Sequence, residues 1–267
     1  MAAVLQIAIY KYVLVGFILD VSEALQTMLK SVILGRVSPH IRHQANDFRR
    51  EQCYTEDVCN VLIQYEPSLR RLFLAVGASD AANVGTKHLA ALWSFSEWLL
   101  FLRKCGLLGS DLTERDAKLA FGWARMAVID GQSDSGAVKE ANLPFEGFLE
   151  AICRLSILKS LPTDDEIEVD GHIDAGAFMF DMKTSDETAY DKLVASRAAP
   201  WPGFASQPPS RCVEHMISLM FYSLLDSINN VRGTQIWQQA GPKKKKLMKL
   251  TEKQVDAFML HYFAKTG

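Results

Sequence analysis

The strongest constraint on this chain is an apolar pattern that occurs twice. Trp93-Ser94-Phe95-Ser96-Glu97-Trp98-Leu99-Leu100-Phe101-Leu102 and Leu143-Pro144-Phe145-Glu146-Gly147-Phe148-Leu149-Glu150-Ala151-Ile152 both read aromatic-x-x-aromatic-Leu-x-x-aliphatic. An apolar set at i, i+3, i+4 and i+7 is one face of a helix. The stretches ahead of them match as well: Leu69, Leu72, Phe73 and Val76 carry this face in the first unit, and Ala117, Ala120, Phe121 and Ala124 carry it in the second. The middle of the chain therefore reads twice as helix, loop, helix. Val255, Phe258, Met259 and Tyr262 repeat the entry spacing, as the opening of a third unit would.

Helical period dominates elsewhere too, and runs of alternating β-branched residues bounded by tight turns are nearly absent. The expected class is all-α, with paired helix-loop-helix units and flanking helices. Candidate helices cover 20–34, 51–64, 67–77, 94–105, 113–128, 144–159, 173–183, 186–196, 211–229 and 251–264. Thr113 with Asp116 and Thr251 with Gln254 are spaced as capping boxes. Pro144 suits a first helical turn, and Gly106 suits a helix stop. Thr163 or Asp164 would cap a helix through the acidic run 164–170, which is otherwise a docking surface for a basic partner. Residues 77–92 and 129–142 read as loops. Residues 199–210 hold four prolines and read as a connector. These breaks suggest an N-terminal helical segment (1–65), the helix-loop-helix pair (66–160) and a C-terminal helical subdomain (161–267).

A helix, a loop of about twelve residues and a helix opening on an aromatic is the EF-hand layout. A calcium loop needs oxygen ligands at positions 1, 3, 5, 9 and 12, with a bidentate Glu at 12. Counting from Asp130 places Gln132 at 3 and Asp134 at 5, but Ala141 at 12. Counting back from Phe148 places Gly147 at 12. In the first unit Glu97 falls at 12, with Thr86, His88 and Ala90 at 1, 3 and 5. The candidate metal ligands are thus Asp130, Asp134 and Glu140, without the bidentate carboxylate at position 12 that a calcium loop uses.

Phe48-Arg49-Arg50-Glu51-Gln52-Cys53-Tyr54, Phe95-Ser96-Glu97-Trp98, Leu112-Thr113-Glu114-Arg115-Asp116-Ala117 through Phe121, Arg125-Met126, and Leu143 through Leu155 together resemble the degenerate EF-hand-like helical proteins of flagellated protists and algae. The resemblance covers about 48–160. It implies a non-enzymatic component of a cilium or flagellum, with tubulin or axonemal proteins as partners.

Charge and motifs narrow the classes. The 29 Lys and Arg balance 31 Asp and Glu, so a nucleic-acid binder built on a basic surface is not expected. No phosphate loop, zinc-protease or nucleophile-elbow motif stands in the chain. His40 and His43 lack further ligands nearby. The five cysteines, odd in number and without a C-x-x-C pair, read as reduced thiols of a cytoplasmic protein. Residues 2–19 are apolar except for Gln6 and Lys11. They suit a buried or partner-facing segment, with membrane attachment as the alternative. Trp201, Phe204 and Trp237 lie in irregular stretches, where aromatics anchor partners. Lys243, Lys244, Lys245 and Lys246 would meet an acidic surface. The expectation is a scaffold that binds other proteins and needs no cofactor. The alternatives are a calcium-responsive adaptor and a membrane-associated helical subunit held by residues 2–19.

Overall fold

Helices account for nearly all regular structure, and among the described residues no strand forms. The computed structural model describes residues 2–34, 36, 45–84, 92–126, 128–131, 133–197, 207–232 and 250–263. Met1–Gln44 form one unit and Ala45–Gly267 a second.

The first unit is a helical hairpin. Helix α1 (Ala2–Ala8) widens into a π-type turn at Ile9–Val13, and the chain then reverses. Gly16 sits at the reversal with φ +79°, where a Cβ would be strained. Helix α2 (Val21–Met28) returns along α1 and widens again over Leu29–Leu34. Asp20 starts α2: its carboxylate accepts the Glu23 N–H at 2.8 Å. Ala8, Ala24 and Met28 are the buried side chains of this hairpin. Residues 2–19 are therefore one arm of a hairpin and its turn rather than one rod. No helix among the described residues is long and apolar enough to cross a membrane.

The second unit is built around α8 (Phe145–Leu158), whose side chains are buried almost all round, as expected of a helix enclosed by others. Helices α4 (Glu56–Val84), α6 (Glu114–Ala124) and α12 (Pro209–Arg232) pack on it. Helix α5 (Phe95–Lys104) lies against α6. Helices α10 (Ala175–Ser185) and α13 (Glu252–Phe263) pack on α12. The shorter helices are α3 (Ala45–Phe48), α7 (Asp134–Ala141), α9 (Asp164–Val169) and α11 (Glu187–Arg197). The apolar faces read from the sequence are the core: Leu69, Leu72, Phe73 and Val76 on α4 and Ala117, Ala120, Phe121 and Ala124 on α6 are all buried.

The capping chemistry also forms. Thr113 and Asp116, Thr163 and Glu166, and Thr251 and Gln254 each exchange side-chain-to-backbone bonds across a first turn. Gly106 closes α5 at φ +62°, with Leu107 N–H donating to the Leu102 carbonyl at 3.0 Å.

Four expectations need correction. The candidate helices 51–64 and 67–77 are one helix, α4, with Pro67 inside it. Pro67 lies on the exposed side, where water can satisfy the Ile63 carbonyl that the missing N–H leaves unbonded. The loop expected from 77 starts later, because α4 runs on to Val84. The loop expected over 129–142 holds α7, capped by Ser133 Oγ, which accepts the Gly136 N–H at 2.9 Å. Of the proposed boundaries, 65 falls inside α4, and α8 and α12 pack together across 160.

Two glycines test the packing by opposite signs. A Cβ on Gly176 in α10 would stand 2.4 Å from Tyr222 Cδ2 and 2.7 Å from the Ser218 carbonyl of α12, whereas one on Gly122 in α6 would meet nothing within 4 Å. In thermal unfolding, Gly122→Ala is expected to raise stability by about 0.5–1 kcal/mol. Gly176→Ala is expected to lower it by about 1–3 kcal/mol, because the crossing of α10 and α12 must open.

Candidate functional site

The two loops meet through backbone. Trp93 and Leu143 exchange both N–H···O=C bonds, each 2.8 Å, as an isolated antiparallel bridge. One residue on, Ser94 and Pro144 are the N-caps of α5 and α8. The bridge fixes the starts of both helices against each other.

Trp93 is fixed by its ring as well. Its Nε1 donates to the Phe73 carbonyl at 2.9 Å, and the indole stacks on the Phe73 ring at 5.3 Å. Phe148 lies 4.7 Å from Trp93 and 5.4 Å from Phe73. Trp98 Nε1 donates to the Ala117 carbonyl of α6 at 3.0 Å. Both indoles are thus buried with their polar atoms satisfied, as buried tryptophans require.

The carboxylates where a cation would be held serve other ends. Glu97, at the bidentate position of the first loop, accepts the Ser94 N–H at 2.6 Å and the Ser94 hydroxyl at 2.7 Å in a capping box. Gly147, at the matching position of the second, has no ligand atom. A Cβ there would stand 3.1 Å from the Ala124 carbonyl and the Leu143 side chain. The candidate ligands Asp130, Asp134 and Glu140 are spread along α7 and the turn before it. The Asp130 carbonyl accepts from Ser133 N and Oγ at 2.8 and 2.9 Å. Gly136 presses on the same carbonyl so closely that a Cβ would lie 1.9 Å from it. Among the described residues no group of three or more His, Cys, Asp or Glu is arranged to hold a metal ion.

Beside the bridge lies a groove of about 520 Å³. Helix α4 contributes Arg70, Phe73 and Leu74, at i, i+3 and i+4. The start of α8 contributes Pro144, Phe145 and Glu146, while Leu92, Met126, Val128 and Lys139 complete the lining. The Arg70 guanidinium lies 4.1 Å over the Phe145 ring and pairs with Glu66 at 2.8 Å. Leu74 is 48% exposed. The floor is apolar, and Arg70 and Lys139 give the rim two cations beside the Glu146 carboxylate. Chemically such a lining suits an apolar side chain next to a carboxylate. Leu69 to Val76 were legible as a core face, but the joining of Arg70 and Leu74 to Phe145 depends on tertiary contact.

The acidic run also finds partners within the chain. Asp164 pairs with Arg211, and Glu166 pairs with Arg197. His215, 2% exposed, places Nδ1 3.0 Å from the Pro162 carbonyl and Nε2 3.1 Å from Asp164 Oδ1 and 3.2 Å from Arg211 Nη2. The Pro162 carbonyl and the Asp164 carboxylate only accept, whereas Arg211 only donates, so the ring stands between two acceptors and one cation. Burial, followed by the Arg211 charge, lowers the His215 pKa from its ordinary 6.5, against the pull of Asp164. The Arg211 hydrogen bond leads in holding the Asp164 carboxyl below its ordinary 3.8.

The partner-contact residues Trp201, Phe204, Trp237, Lys243, Lys244, Lys245 and Lys246 lie outside the described residues. Comparison with protein-family models, with curated proteins and with solved structures finds no match to this chain.

The His215 geometry sets a pH dependence. The folded state favours the neutral imidazole, so the contribution is complete above 6.5 and is lost as pH falls from there through the lowered folded pKa. Stability measured by denaturant titration is expected to decline over that window, by no more than about 1.4 kcal/mol per pH unit for this group. His215→Gln is expected to flatten this part of the curve. The loss due to Asp164 begins only below 3.8 and should remain in that variant. An unchanged slope in His215→Gln would remove His215 from the account.

Proposed function

We propose that this chain is a non-enzymatic scaffold whose paired, EF-hand-like helix-loop-helix body binds other proteins without using calcium. The observation that carries this reading is the Trp93–Leu143 bridge. It joins the residues just ahead of Ser94 and Pro144, which the sequence repeat aligns, while the position that a calcium loop would give to a carboxylate is a helix cap at Glu97 and a glycine at Gly147. A pairing geometry that persists without its metal ligands serves packing and presentation. The groove at the pair then supplies the contact: an apolar floor under Arg70 and Lys139 suits a partner segment carrying a large apolar residue next to an acidic one. The sequence resemblance of residues 48–160 directs the search to a cilium, a flagellum or a similar cytoskeletal assembly. Tubulin or axonemal proteins are the partner class, since tubulin presents an acidic exterior.

Two measurements test the reading. In calorimetric titration, calcium is expected to give no 1:1 heat of micromolar affinity, and the unfolding temperature should be the same in calcium and in chelator. A saturable heat would replace the scaffold with a calcium-responsive adaptor. In the source cell, the chain is expected in the detergent-extracted cytoskeleton. Leu74→Asp should release it while changing stability by no more than about 0.5 kcal/mol, because Leu74 is a surface residue. Recovery of the unmodified chain only in the soluble pool would overturn the assignment.

A further inference from the structure

The apolar residues of the N-terminal hairpin are arranged differently from those of the second unit. Tyr10 is 72% exposed, Leu14 71%, Val15 60%, Phe17 79% and Leu19 91%. They cluster at the reversal between α1 and α2. We propose that this tip, Tyr12–Leu19, enters one leaflet of a lipid bilayer and holds the protein at a membrane surface without crossing it. The inference is independent of the scaffold reading.

Four observations favour lipid over a protein partner. First, no charged residue stands between Lys11 and Asp20, so nothing ionic enters the hydrocarbon with the tip. Second, four N–H groups of the reversal bond within it. Leu14 N–H donates to the Ile9 carbonyl at 2.9 Å, Gly16 N–H to Val13 at 3.0 Å, and Phe17 and Ile18 N–H both to Tyr12 at 3.0 and 3.1 Å. Each N–H paired in this way is one fewer for headgroups or water to satisfy at the bilayer surface. Third, Tyr10 and Lys11 stand just behind the tip and Tyr12 at its start, with the Lys11 ammonium 5.5 Å over the Tyr12 ring. Amphipathic rings and a lysine with a long stem belong at the headgroup level. Fourth, an open trough of about 710 Å³ continues from the tip along α1, lined by Ala3, Ile7, Tyr10 and Val15 with Gln6 and Lys11. The protruding side chains sit on a convex turn, unlike the flat, self-complementary patch that joins two copies of a chain.

Charge selects the kind of membrane. Across residues 2–34, Lys11 and Lys30 balance Asp20 and Glu23. Attraction to an anionic surface is therefore not the driving force, and apolar burial is. Binding should be to zwitterionic lipid and insensitive to salt.

The test is flotation of the full chain with phosphatidylcholine vesicles at low salt and at high salt. The chain is expected to float in both. Phe17→Asp combined with Leu19→Asp should reduce partitioning by at least about tenfold per substitution. Both residues are exposed, so far-UV circular dichroism should not change. If that variant loses helicity, Phe17→Ser with Leu19→Ser gives the same comparison without added charge. The proposal is overturned if the unmodified chain does not float, or if the substituted chain floats equally well. It is also overturned if flotation requires anionic lipid at low salt. Sedimentation equilibrium covers the remaining case: a dimer abolished by the same substitutions, with no flotation, would assign the tip to a second copy of the chain.

Discussion

Trp93 is held by backbone and side chain at once, and that double restraint orders the second unit. Its main chain pairs with Leu143, its indole N–H is bonded to the Phe73 carbonyl, and its ring packs between Phe73, Phe101 and Phe148. These contacts join the end of one loop to α4, α5 and α8. Separating the loops would expose two backbone pairs and an aromatic cluster together, so the helices that follow Ser94 and Pro144 move as one piece. Aromatic pairs of this kind add about 0.5–1.5 kcal/mol each beyond burial. The chain reinforces the arrangement from outside: Arg71 donates to the Leu250 carbonyl at 2.7 Å, and the Leu250 N–H donates to Ser68 Oγ at 2.9 Å. The start of α13 is thereby tied to α4.

Buried charge fixes which way the remaining elements attach. Glu150 on the central helix accepts from Arg49 at 2.8 Å, from Arg154 at 2.9 and 2.7 Å, and from Tyr54 at 3.0 Å. Arg49 also bonds the Trp123 and Arg125 carbonyls at the end of α6. Lys159 reaches the Leu107 carbonyl and Asp111, both at 3.0 Å, and the other Asp111 oxygen accepts the Ser160 N–H at 2.9 Å. Such networks add little net stability after desolvation, but removing one partner strands a buried charge at a cost of about 3–5 kcal/mol. Apolar surfaces slide over one another more cheaply than that. The segment 45–54 is therefore held in one register on α8, which the apolar pattern alone would not specify.

The division between what was legible in the sequence and what was not follows from range. Core faces at Leu69–Val76 and Ala117–Ala124 depend on local period, and capping boxes at Thr113 and Thr251 depend on four consecutive residues; both were readable, whereas the choice between Thr163 and Asp164 was settled only by the structure. Helix α4 was split at Pro67 because local propensity penalises an interior proline. The penalty falls to water on the exposed face, and Tyr65, Leu69 and Leu72 bury enough surface to carry the helix through. Helix α7 was missed because its residues have little apolar period; Ser133 caps it and Gly136 seats it against Asp130. The groove was not readable at all. It requires Arg70 to find Phe145, a contact between helices far apart in the chain.

The two units put their apolar residues to opposite use, and size explains why. The second unit has enough helices to enclose α8 on every side, so its aromatics go inward. A hairpin of two short helices has one internal face, and in this one Ala8, Ala24 and Met28 fill it. Chains of that length bury too little surface to be stable unaided. Leu14, Val15, Phe17 and Leu19 then have no interior of their own to enter. Tyr10 and Lys11 stand at the border of that apolar surface, where an amphipathic side chain is at its most favourable. This uncovered apolar surface is what the proposed membrane contact would bury.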